Sequence, residues 1–330
     1  MGDKTELVIL SDQDVAGLLT LDKVIPLVEE ALIDLAQGSG HLFPVIRETI
    51  AKHDGIFGIK AGYLERREAL GFKAGGFWKN NARRGLTNHQ STMVLFDPAT
   101  GRPTAIVAAN YITQIRTAAI GAIACRHLAR TDSRILALIG TGQQGQNQLK
   151  AALHVLPEIS EVFLHDAIPS AAEKLAEQLA GRPFTVHVAK SPATACQNAD
   201  VIITATPSFQ AVVMNEWIKP GTHITAVGTD TRGKQELDPV IFSQAKIVVD
   251  NTAQCLFLGE CQHAYDAGII AKDSIHAELG EILSGQKPGR ERDDEITVFD
   301  TTGVAAQDLI TAVHAVSLAL NRGIGKHIEF

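Results

Sequence analysis

Cysteine is scarce and scattered. Cys125, Cys196, Cys255 and Cys261 form no C-x-x-C pair, which disfavours a disulfide framework or a zinc site and suits a reducing cytoplasm. The 12 histidines, His41, His127, His154 and His263 among them, show no metal-ligand spacing; most read as surface or hydrogen-bonded core residues, and no metal is expected. A basic surplus is also missing. The net charge of -7 disfavours a non-specific nucleic-acid binder, because phosphate backbones call for basic patches. No uninterrupted apolar stretch is long enough to cross a bilayer. The opening "MGDKTELVIL" lacks a basic segment followed by a long apolar run, so no signal peptide is expected. Acylation at Gly2 would want Ser or Thr at position 6, where Glu6 stands. Aromatics are few, and the isolated Trp78 and Trp217 read as packing residues.

What is present is an ordinary globular mixture, 45% hydrophobic and 20% charged over 330 residues, enough for two domains or one large one. Residues 11–38 read as two helices, with Ser11 and Asp14 as a capping box and Asp22 as a cap for the second. From 42 to 110 short strands follow, the last two joined by the turn "DPATG", so this part is α+β with an antiparallel sheet. A helix over 111–130 leads into a strand–helix–strand rhythm: "RILALIG", a helix at 143–154, "EVFLHD", a helix at 169–180, then "FTVHVA", "ADVIITAT", "THITAVG", "AKIVVD" and "DEITVFD". Such alternation argues for a Rossmann-type, doubly wound parallel sheet. An amphipathic helix over 303–322 closes the chain. "GQKPGRE", 285–291, is the best candidate for a mobile surface loop.

"LALIGTGQQGQNQL" places Gly140-x-Gly142-x-x-Gly145 between a strand and a helix. Alone the pattern is also that of a tight turn. In this context Gly140 permits the turn, Gly142 lets the backbone approach a pyrophosphate and Gly145 lets helix and strand pack closely. The helix N-terminus offers N–H donors to the anion. Asp166, at the end of the next strand, is placed to bind ribose hydroxyls and repel a 2′-phosphate, which favours NAD over NADP.

Two further groups carry chemistry. "AVGTDTRGKQELDP" follows a strand, where open parallel sheets place ligands. Asp230 there is a candidate proton relay, with Lys234 beside it, although Asp, Thr and Gly are also turn formers. Arg47, Lys73 in "GFKAGG" and Arg116 sit among apolar or small residues, and arginine suits bidentate capture of a carboxylate.

The segments "FPVIRE", "GFKAGG", "MVLFDPATGRPTAIVAANYITQIRTAAIGAIACRHLA", "ALIGTGQQGQNQL", "AVGTDTRGKQELDP" and "TVFDTTGVAAQDLITA" appear in the order of the ornithine cyclodeaminase/μ-crystallin family, which the chain resembles over nearly its whole length. The resemblance implies a homodimer with a nucleotide domain at 126–304 inserted into a substrate-binding and dimerisation domain made of 1–125 and 305–330. It implies that Arg47, Lys73 and Arg116 hold the substrate carboxylate. It further implies that Thr92, Arg116, Gln143, Gln144, Asp166, Thr206, Val227, Gly228, Lys234 and Thr302 line the cofactor site with the three loop glycines. Asp230 is then the acid/base, with Lys73 as a second candidate for that role. The members share an imine and a nicotinamide.

The family branches by chemistry. A cyclodeaminase making proline from ornithine needs an acid for the distal ammonium, and "GIFGIKAGY" offers Lys60 instead. "GGFWKNNARRGLTNHQST" adds Lys79, Arg83, Arg84 and His89. Cations so placed favour a second carboxylate on the substrate, with Lys60 or His89 meeting it. Iminosuccinate, reduced by NADH to L-aspartate, is the smallest candidate, and the chain resembles that branch of the family most. The alternatives are an alanine dehydrogenase or cyclic ketimine reductase, a cyclodeaminase, and a non-enzymatic ligand store.

Overall fold

The computed structural model describes residues 6–329; Gly2, weighed above as an acylation site, lies outside them. The chain divides into two compact units. One comprises residues up to Arg116 together with those from Val304 onward, the other Thr117–Gly303. Both changeovers fall at or near helices: one lies inside the helix Asn110–Leu128, the other just before Ala305–Arg322.

The first unit opens with β1 (Glu6–Leu10), α1 (Asp12–Leu18) and α2 (Leu21–Ala36). Ser11 and Asp14 close a capping box on α1. Thr20 occupies the N-cap position of α2 without a side-chain capping bond, and Asp22 lies in the first turn, where a carboxylate complements the helix dipole. Then come β2 (Gly40–Leu42), β3 (Ile46–Ile50), β4 (Gly55–Leu64), β5 (Ala69–Trp78), β6 (His89–Phe96), β7 (Pro103–Ala108) and α3 (Asn110–Leu128). Asp97 ties the β6–β7 turn through Ala99 N and Thr100 Oγ1.

The second unit begins within α3 and runs through β8 (Ile135–Ile139), α4 (Gln143–Val155), β9 (Glu161–His165), α5 (Pro169–Gln178), β10 (Thr185–Val188), α6 (Pro192–Cys196), β11 (Val201–Thr204), β12 (Phe209–Val213) and β13 (His223–Ala226). It continues through β14 (Gln235–Leu237), β15 (Ala245–Val249), α7 (Thr252–Leu258), α8 (Cys261–Asp266), β16 (Ile275–Glu278), α9 (Leu279–Leu283) and β17 (Ile296–Asp300). The chain then returns to the first unit as α10 (Ala305–Arg322) and β18 (Lys326–Glu329).

The sheet of the first unit is ordered β18-β1-β7-β6-β5-β4-β2, with β3 also on β4. It is mixed rather than antiparallel throughout: β1 runs parallel to β7, and β18 lies antiparallel on β1. Gly62 of β4 and Gly71 of β5 face α10, where an added Cβ would meet Leu309 at 3.6 and 3.2 Å. That packing buries all eight residues of the first two turns of α10, Ala305–Ala312. The amphipathic pattern expected of the whole helix is confined to its second half.

The sheet of the second unit is wholly parallel, in the order β10-β9-β8-β11-β13-β17-β15-β16. Its central strands are buried at every position, as befits a sheet with helices on both faces. The buried His223 is neutral. Burial pulls its pKa down to about 3, with Arg290 adding to the shift, and its ring nitrogens meet the Thr297 and Thr225 hydroxyls at 2.9 Å. The stretch 285–291 is not a free loop. The Arg290 guanidinium donates to the carbonyls of Leu128 and Glu295, and Lys246 reaches Gly289 O and Glu291. No helix among the described residues is long and apolar enough to cross a membrane.

Candidate active site

At the carboxyl end of the parallel sheet the loops after β8, β9, β11, β13 and β17 are joined by hydrogen bonds. Gly140 adopts φ 95°, and a Cβ there would lie 2.7 Å from Ala205 O. A Cβ on Gly145 would lie 1.9 Å from Gly140 O, so helix α4 approaches its strand as only glycine permits. Gly142 caps α4 in an extended conformation, and a Cβ there would meet nothing within 4 Å. Its bareness is not required by protein packing; it leaves open space against the first turn of α4, where Gln143 and Gln144 begin the helix. That geometry fits a dinucleotide pyrophosphate. Asp166 is anchored to the same loop, with Oδ2 accepting from Thr141 N at 2.8 Å and Thr141 Oγ1 at 2.9 Å.

The loop after β13 carries Asp230. Lys234 Nζ lies 2.9 Å from Asp230 Oδ1 and 3.2 Å from Gly228 O, and Thr231 Oγ1 also donates to Asp230. Beneath this loop sits Glu236, whose carboxylate accepts from Thr204 Oγ1, Thr206 N and Gly228 N. It thereby pins Val227-Gly228 to the neighbouring loop at Thr206. Glu260 in turn holds the backbone of Glu236 and Leu237 and the Thr229 hydroxyl. Burial raises Glu236, and burial with Glu236 nearby pushes Glu260 up to about 8. After β17, Asp250 receives Thr301 Oγ1, both Thr302 donors and Gly303 N, which places Thr302 at the same sheet edge.

In the first unit, register decides which side chains share a face. Arg47 pairs with Gly58, Lys60 with Lys73, Lys73 with Met93, Gly75 with Ser91 and Phe77 with His89. Directly opposed residues point to one side, so Arg47, Lys60, Lys73, Ser91 and His89 share the face covered by α10. Lys73 is 8% exposed, Arg116 5% and Asp308 0%. Lys73 Nζ lies 2.9 Å from Asp308 Oδ1 and 3.1 Å from Thr113 Oγ1. It is also 2.8 Å from Asp308 Oδ2, an ionic contact rather than a directed hydrogen bond. Arg116 Nε donates to Asp308 Oδ1 at 2.9 Å and Nη1 to Gln307 Oε1 at 2.9 Å. Burial lowers Lys73 to about 7; Arg116 and Lys60 push it the same way and Asp308 opposes. Burial works against ionisation of Asp308, but Arg116 and Lys73 hold it below the ordinary carboxylate range.

Lys79, Arg83, Arg84 and Thr92 lie away from this cation cluster. Lys79, 63% exposed, pairs with Asp54, and Arg83 and Arg84 are exposed, so hydration already satisfies these cations. Thr92 alternates to the sheet face opposite Lys73 and is exposed. Trp78 packs over Gly55 and Trp217 against the core of the second unit. Sequence reasoning missed Asp308, Gln307, Glu236 and Glu260. All four are buried acids or an amide with hydrogen-bonding duties, and a buried acid is rare enough without a partner to be a signal; burial itself was not visible.

A parallel, doubly wound sheet with this glycine loop, joined to an α+β unit, defines a Rossmann-type dinucleotide-binding protein with a second domain. The profile of the "Ornithine cyclodeaminase/mu-crystallin family" matches residues 5–319, and the chain belongs to that family. It is 41% identical to an iminosuccinate reductase of Paracoccus denitrificans over 98% of this chain and 100% of the relative. An archaeal alanine dehydrogenase dimer with bound NAD superposes with a TM-score of 0.93 at 36% identity, covering 99% of this chain and 100% of that one. The Δ1-pyrroline-2-carboxylate reductase of Thermococcus litoralis, in complex with NADH and L-proline, gives 0.93 at 35% identity over 97% and 100%.

Proposed function

We propose that the protein is an NADH-dependent reductase of a small imino acid, with iminosuccinate as substrate and L-aspartate as product. The observation that carries this reading is the buried Lys73–Arg116–Asp308 cluster on a sheet face shared with Arg47 and Lys60. Desolvated cations prefer paired carboxylates. Relatives named for iminosuccinate, alanine and pyrroline-2-carboxylate have in common a carbon bonded to both nitrogen and a carboxylate. Arg47, Lys73 and Arg116 bind the α-carboxylate, and Lys60 or His89 takes the second.

The glycine loop, Gln143, Gln144, Thr206, Val227, Gly228, Lys234 and Thr302 hold NADH, with Asp166 on the adenosine ribose. NADH bound there supplies hydride to the imine carbon. Asp230 moves the proton at the substrate nitrogen, and Lys234, 2.9 Å away, holds its carboxylate in place. Glu236 and Glu260 fix the loop that carries it. Orienting the imine in this way contributes rate without new chemistry. The working form is a homodimer, in keeping with the exposed apolar residues Phe43, Ile46 and Ile50 on and before β3.

Asp230→Asn tests the assignment. Turnover of iminosuccinate falls by about 100-fold or more, the range of general acid–base catalysis, while NADH binding followed by fluorescence is unchanged. Equal turnover in variant and wild type would remove Asp230 from the chemistry. Ammonia release from ornithine without net change in NADH would instead identify a cyclodeaminase, and no turnover across an imine panel would favour a ligand store.

A further inference from the structure

We propose that Asp308 is the positioning residue of the cluster, the single carboxylate that aims Lys73 and Arg116 at one substrate carboxylate. The inference rests on the reading of this cluster as a carboxylate site. Two cations drawn into a buried space repel each other and, unheld, would turn toward solvent. Asp308 prevents this from 0% exposure. Its Oδ1 accepts from both Lys73 Nζ and Arg116 Nε at 2.9 Å.

The remaining donors are fixed by the same arrangement. Lys73 has three protons. Asp308 and Thr113 take two, and Thr113 is steadied by Ser91 at 3.4 Å. The third is left for a ligand. The Arg116 plane is set by Nε on Asp308 and Nη1 on Gln307, which turns the Nη2 edge to a ligand. Adjacent residues of α10 thus orient both cations. Asp308 lies 235 positions from Lys73 in the chain, on the stretch of α10 that packs against β4 and β5.

The charged and titratable groups facing the cluster are Arg47 on β3, Lys60 on β4, Lys73 on β5, His89 on β6, Arg116 on α3 and Asp308 on α10. With Lys73 lowered to about 7 by burial and its cationic neighbours, and raised by Asp308, anion binding weakens as pH climbs past neutrality. Without Asp308 that decline begins at lower pH.

Calorimetric titration with succinate, a dicarboxylate that cannot be reduced here, tests the proposal independently of turnover. Asp308→Asn is expected to bind succinate about tenfold or more weakly, as the loss of a charge-assisted hydrogen bond implies. Its pH limb should move to the acid side, with NADH affinity unchanged. Asp308→Glu should return the limb toward its wild-type position. Wild-type affinity and an unchanged limb in Asp308→Asn would overturn the proposal. So would unfolding of both variants, which would make Asp308 a stability residue, or failure of the wild type to bind succinate at any pH. Reductase activity is scored separately on wild type. If succinate binding behaves as described but no imine is reduced, the reductase reading falls and this one stands.

Discussion

Lys60 and Lys73 stand directly opposite each other on β4 and β5, an arrangement that costs energy unless an anion repays it. Replacing Lys60 with Met removes one of the charges that lower Lys73. The pH above which KM for iminosuccinate rises should therefore move upward from about 7. At low pH the same variant loses affinity for the dicarboxylate by roughly tenfold, while a monocarboxylate imine, generated from pyruvate and ammonia, is little affected. Steady-state KM across pH with both substrates checks this; equal loss on both would place Lys60 away from the second carboxylate. At this scale Arg47, Lys73 and Arg116 were readable because cations among small or apolar residues are unusual. Asp308 was not, because "AAQDLI" in a helix reads equally well with its acid in solvent. Only packing against Gly62 and Gly71 puts it inside.

The glycine loop is legible as an element, and the three glycines separate into testable roles. Gly145→Ala drives a Cβ to 1.9 Å from Gly140 O and should cost about 1–3 kcal/mol of stability, as overpacking does. Gly142→Ala meets no protein atom within 4 Å, so thermal unfolding should match wild type while NADH affinity drops about tenfold or more, because the lost space is the cofactor's. A stable Gly145→Ala protein, or a Gly142→Ala protein with normal NADH affinity, would contradict these assignments. Alternating strands and helices announced the parallel sheet because its strands are continuous apolar runs. β18 is silent in the sequence: "KHIE" is exposed at all four positions and joins the sheet through its backbone beside β1. The short β12–β14 pair has a register break that periodicity cannot reveal. The supposed mobile loop at 285–291 is tied down by Arg290, which reaches the carbonyl of Leu128, 162 positions away, as well as that of nearby Glu295; a backbone carbonyl carries no residue-type signature.

At the scale of the whole molecule, the chain returns to its first unit only after the complete second one, so the residues of the cation cluster are gathered from both ends of the sequence. The family resemblance implies boundaries at 125/126 and 304/305; the compact units change over at Arg116, within α3, and at Val304. The helix Asn110–Leu128 is continuous at Arg116, and no proline marks the change. Each unit contributes what the other lacks: one carries the loop suited to a dinucleotide, the other the buried cations suited to a carboxylate. Reduction of an imino acid by NADH requires both. Stopped-flow absorbance of NADH, mixed with enzyme and freshly formed iminosuccinate, measures it most directly. One NADH should be consumed per L-aspartate formed, without other cofactors. No loss of NADH with iminosuccinate, pyruvate plus ammonia or Δ1-pyrroline-2-carboxylate would contradict it.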